Sequence, residues 1–75
     1  MTVIEVAFKY GRKPGAAELR ALNAIREVYG VRRLWFSEAE GLVRVEYDRS
    51  RLNDDSVASM LRQAGLDLKE KLALA

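Results

Sequence analysis

Two stretches of this chain carry residues whose types and spacing could do chemistry. The first is Gly11-Arg12-Lys13-Pro14-Gly15, leading into Ala16. It combines two cations with glycines at the entrance to a helix. Backbone N–H groups and the helix dipole favour an anion there. Arg12, Lys13, Gly15 and Ala16 are thus a candidate site for a phosphate or carboxylate. The Gly-x-x-x-x-Gly-Lys-Ser/Thr pattern of a nucleotide loop is absent. The plainer reading is a solvated turn whose glycines serve geometry. The second stretch pairs Trp35 with arginines Arg33 and Arg44, a residue combination enriched at protein contact surfaces.

Other chemistry is poorly supplied. The 75 residues contain no cysteine and no histidine, so neither thiolate nor imidazole is available as nucleophile, base or soft-metal ligand. Ser37, Ser50, Ser56 and Ser59 fall in turns or on exposed helix positions, without a paired base. Glu38, Glu40, Asp48, Asp54 and Asp55 lack the spacing of a calcium loop. Each has a local role in a turn, at a strand end or in a helix first turn. These observations point away from an enzyme, with no catalytic residue and no cofactor expected.

Composition limits partners. Thirteen basic against 11 acidic residues leave +2, too little to mark a nucleic-acid or membrane partner. No apolar run reaches the ~20 residues of a membrane span. Residues 1–10 lack a leader's small-residue cleavage site. A cytoplasmic, single-domain protein is expected, its core unaided by disulfides.

The elements that must position these residues follow from periodicity. Ile4, Val6 and Phe8 alternate with Glu5, Ala7 and Lys9 in a strand over 2–10. Ala17, Ala21, Ala24, Ile25 and Val28 share one face of a helix over 16–29, flanked by Leu22 and Tyr29. Leu19 points away, and Gly30 stops the helix. Val31 to Ser37 and Leu42 to Asp48 form a hairpin. Placing Ser37 opposite Leu42 sets Phe36 against Val43 and Leu34 against Val45. On the other face Trp35 meets Arg44 and Arg33 meets Glu46, which predicts a Trp35–Arg44 cation–π contact and an Arg33–Glu46 ion pair. Asn53 caps a second helix bearing Val57, Met60, Leu61 and Ala64 on one stripe, and Gly65 ends it. Leu66 to about Leu74 reads as a final strand with Leu68, Glu70 and Leu72 on one side; residues 67–75 also suit a helix or a frayed tail. The order βαββαβ predicts an α+β ferredoxin-like sandwich: a four-stranded antiparallel sheet with two helices on one face.

Joint landmarks then suggest a family. Gly11 opens the first loop and Gly30-Val31 follows the first helix. Val43, Val45, Tyr47 and Asp48 match a V-x-V-x-Y-D strand, and Ala64-Gly65 closes the second helix. In this the chain resembles heavy-metal-associated (HMA) domains, as found in copper chaperones and metal-transporting ATPases. The family carries Gly-Met-x-Cys-x-x-Cys across the first loop. Here Arg12 stands at the methionine position, Pro14 and Ala17 at the cysteines, and Leu66 at the late tyrosine. The resemblance therefore implies the fold without its soft-metal site. It also implies partner contact through the first loop and helix, where Arg12, Lys13, Leu19 and Arg20 lie. Arg20, Arg33, Trp35 and Arg44 are the interaction candidates, with a protein partner or self-association expected. The uncovered sheet face offers no stacking aromatics on its central strands, so weak nucleic-acid binding is the lesser alternative.

Overall fold

The structure is a computed structural model that describes residues 2–72. Its elements run β1 (Val3–Tyr10), α1 (Ala16–Ile25), β2 (Val31–Ser37), β3 (Leu42–Asp48), α2 (Asp54–Gln63) and β4 (Leu68–Leu72). The strands form one antiparallel sheet in the order β2-β3-β1-β4, the α+β arrangement that the element order implies.

The hairpin register is the expected one: Ser37 faces Leu42, Phe36 faces Val43, Trp35 faces Arg44 and Leu34 faces Val45. A slip by one residue would have moved every apolar side chain to the wrong face. Gly41 turns the hairpin at φ +67°. Val6, Phe8, Tyr10, Leu34, Val43, Val45 and Tyr47 face the helices and join Leu22, Ile25, Val57, Ala58, Leu61 and Leu66 in one core.

Three expectations need correction. Helix α1 stops at Ile25 instead of Tyr29. Arg26, Glu27 and Val28 donate to the carbonyls three residues back, a tighter winding that turns the chain toward β2. Tyr29 is exposed, with the Arg51 guanidinium 4.2 Å from its ring centroid. The buried positions of α1 are Leu22 and Ile25; Ala17 and Ala24 are exposed. The larger side chains take the core and leave the alanines at the margins. Finally, β4 does not alternate regularly. A bulge lies where Lys9 pairs Glu70 and Tyr10 pairs Leu68. The extra residue, Lys69, shifts the phase. Leu68 therefore faces the helices with Tyr10, whereas Glu70 and Leu72 share the other face with Lys9 and Ala7. Expected strand residues 73–74 lie outside the described residues.

Helix α2 follows expectation closely. The Asn53 side chain accepts the Ser56 amide at 2.8 Å. At its end the Gly65 amide donates to Arg62 O and the Leu66 amide to Leu61 O. This double closure needs a left-handed residue, which Gly65 supplies at φ +98°. It carries Leu66 back into the core beside Leu61.

Candidate functional site

The first loop is held from outside. The Gly11 amide donates to Asp67 O at 2.9 Å, and the Lys69 stem lies against Gly11. Gly15 caps α1, and its amide donates to Glu18 Oε1 at 2.7 Å. Glycine has no side chain to return that bond, so only the Glu18 arm of a capping box exists. The Glu18 stem also packs against Gly65 at the end of α2. The anion candidates Arg12, Lys13, Gly15 and Ala16 are all exposed around this helix start. However, Glu18 already takes the Gly15 amide and places negative charge where an anion would arrive.

Pro14 directly precedes the cap, and Ala17 lies in the first turn of α1. Both lie at the helix entrance. A pyrrolidine ring and a methyl group offer no donor atom to a metal. Among the described residues no group of three Asp, Glu, His or Cys side chains converges. The donor set therefore does not fit a soft metal ion.

The uncovered sheet face displays Glu5, Ala7 and Lys9 from β1, Arg33 and Trp35 from β2, and Arg44 and Glu46 from β3. Here the expected pairings change. Arg44 Nη1 reaches across β3 to Glu5 Oε2 of β1 at 3.0 Å. A half-exposed cation forms a charge-assisted bond in preference to a ring contact, so the Trp35–Arg44 contact is not made. Arg33 replaces it, its guanidinium 4.6 Å from the Trp35 centroid. Arg33 and Glu46 stand opposite in the ladder, but the predicted ion pair is not among those of the described residues. Leu42 and Ala7 are buried on this same face, giving it an apolar floor. Arg33, Trp35 and Arg44 are thus brought together. Arg20 is not one of their group, because α1 lies on the opposite side of the sheet.

One polar cluster was not foreseen. The Tyr47 hydroxyl donates to Asp54 Oδ1, and Lys71 Nζ donates to Asp54 Oδ2 at 2.8 Å. They border a cleft of about 470 Å³ with Ile4, Arg49 and Asn53. The Lys71 bond and then the Tyr47 bond lower the Asp54 pKa. Burial, reinforced by the bond to Asp54, pushes Tyr47 up to about 12. The lysine ammonium is stabilised by the same carboxylate. A carboxylate made less basic beside a phenol that stays protonated is a poor base–nucleophile pair. The cluster ties β3, α2 and β4 together. Sequence offered the cap at Asn53-Asp54, but no local signal linked it to a lysine 17 residues away.

Asp48 is the one buried carboxylate among the described residues, 3% exposed. It accepts the Ser50 hydroxyl at 2.7 Å and the Ser50 amide at 3.0 Å, closing the turn into α2. Those bonds lower its pKa. Its role is that of a turn cap.

Two solved structures share the architecture. A proposed copper-ion-binding protein from Bacillus anthracis str. Ames superposes at TM-score 0.70, with 20% identity over 91% of this chain and 97% of its own. The N-terminal domain of ZntA in its apo-form superposes at TM-score 0.64, with 27% identity over 91% and 92%. No protein-family model matches the sequence, and no curated protein does. The chain has the HMA fold without the cysteines of its metal loop.

Proposed function

We propose that this HMA-like chain is a non-catalytic domain for protein contact that works without a metal ion. The observation carrying this reading is the Arg33–Trp35 pair on the uncovered sheet face, 4.6 Å apart. A tryptophan ring covered by a guanidinium, on the sheet face that also carries the buried Ala7 and Leu42, is pre-ordered for desolvation by a partner. Large rigid aromatics with arginine supply much of the energy at such centres. A copper ion, proposed as the ligand of the Bacillus anthracis neighbour, is best held by soft donors, and the side chains of Pro14 and Ala17 supply none. A contact role uses what remains of the scaffold. No helix among the described residues is long and apolar enough to cross a membrane.

The test is Trp35→Ala. Proteins cross-linked to the wild-type chain in its native extract should be lost from the variant, while its circular dichroism spectrum and melting temperature stay unchanged. A wild-type chain that remains monomeric and cross-links to nothing counts against the proposal.

A further inference from the structure

We propose that the cleft between the α1–β2 and β3–α2 connections holds a phosphate group, gripped by Arg26 and Arg51 beside the exposed ring of Tyr29. This goes beyond the contact reading and does not depend on it, because Trp35 does not line the cleft. The cleft has a volume of about 300 Å³. Its two walls are tied where the Asp48 amide donates to Gly30 O at 2.7 Å. A side chain at Gly30 would press on Arg51 and Leu52, and its φ of +104° is one that other residues rarely take. Glycine there lets the two connections close on each other. Arginines distant in sequence thereby come to one place.

The donors of this cleft are underused. Arg26 Nη2 donates to Leu34 O at 2.9 Å, a neutral carbonyl. Its charge meets no acid in the ion pairs of the described residues. Arg51 Nε stands 3.8 Å from Asp48 Oδ2, too long for a hydrogen bond. The bonds to Asp48 come instead from the Ser50 hydroxyl and amide. The Tyr29 ring places Arg51, its centroid 4.2 Å from the guanidinium. That contact orders the side chain without consuming its N–H donors. Tyr29 is 74% exposed, so its ring serves Arg51 more than the core. The Tyr29 and Gly30 amides also find no acceptor among the described residues.

A phosphate group suits this set. Its oxygens accept from several directions, and each guanidinium fork can offer it paired N–H groups. The cations lining the cleft are all arginines; Arg32 is the third and is already engaged. Glu27 and Asp48 are the acids of the lining, and three arginines against these two leave it positive.

NMR of the isotope-labelled chain during titration with inorganic phosphate tests the site, with sodium chloride at matched ionic strength as the control. The Tyr29 and Gly30 amide resonances should move saturably with phosphate, with a Kd of about 1 mM, and should not follow chloride. Arg26→Gln and Arg51→Gln should each weaken binding about tenfold while the circular dichroism spectrum stays unchanged. Arg51→Lys keeps the charge without the fork and should weaken it too. Tighter binding of phenyl phosphate would identify an aromatic ester as the ligand, and equal binding the phosphate group alone. Absence of saturable shifts at Tyr29 and Gly30 up to about 50 mM phosphate overturns the proposal. So does a folded Arg26→Gln/Arg51→Gln double variant that binds as the wild type does. Shifts confined to Gly15 and Ala16 would place the anion at the first loop and overturn it as well.

Discussion

Asp54 accepts bonds from two elements at once, and the cluster it holds is sensitive to pH from both sides. Its lowered pKa means that its contribution is present above the unfolded value near ~3.9 and is lost as pH falls through the folded one. Tyr47 behaves oppositely. Raised to about 12, it stays protonated in the fold after an unfolded tyrosine ionises near ~10. Its contribution is complete below that value and is lost as pH rises toward 12, by at most roughly 3 kcal/mol. Lys71, also raised, adds to the alkaline loss in the same direction. Tyr47→Phe should cost about 1 kcal/mol at pH 7 for the missing hydrogen bond. Its stability should then fall less steeply than wild type between pH 10 and 12. Urea unfolding across that range checks both. Equal slopes for the two proteins would show that the phenol does not carry the transition.

The two helices are started and stopped by different means. Helix α2 has a side-chain cap at Asn53, acids Asp54 and Asp55 in its first turn, and the Gly65 closure at its end. Helix α1 has only a glycine cap with Glu18 bonded back to it, and it ends in tightening turns. Asn53→Ala should destabilise the domain by about 1 kcal/mol, and Asn53→Gly by only a few tenths. Thermal or urea denaturation measures the difference. Equal losses for the two substitutions would mean that the Asn53 side chain does not act as a cap. The legibility of each element tracks these local signals. Asn53, Gly65 and the alternating hairpin could be read residue by residue. The end of α1 could not, because Arg26 to Val28 suit a helix and leave it only to meet β2. The β4 bulge was hidden for a similar reason: Leu68, Glu70 and Leu72 alternate perfectly on paper, and pairing with β1 breaks their phase.

At the scale of the molecule, the question is whether the first loop has the shape of a metal loop. Pro14 and Ala17 sit at the α1 entrance, and the loop is braced by Asp67 and Lys69 from the β4 end. Pro14→Cys with Ala17→Cys would place two thiolates in that frame. The double variant should bind about one Cu(I) per chain, because paired thiolates suit that ion. The wild type should bind none. Competition against a chromophoric Cu(I) chelator measures both. A double variant without copper would show that this loop no longer has the shape of a metal loop. Metal bound stoichiometrically by the wild type would contradict the reading of the donor set.

Local chemistry alone determined much of this protein. Side-chain alternation, helix caps and glycine stops act over a few residues, so the element order and hairpin register follow from them. The absence of cysteine and histidine is a property of composition and removes thiolate and imidazole ligands in any fold. Tertiary structure decided who meets whom across the sheet. Glu5 took Arg44 from Trp35 and left Arg33 to cover the ring. Asp54 found Lys71 and Tyr47, and Arg26 reached the outer carbonyl of Leu34. Each of these outcomes is a competition between groups distant in sequence, settled by distance and desolvation after the chain has folded.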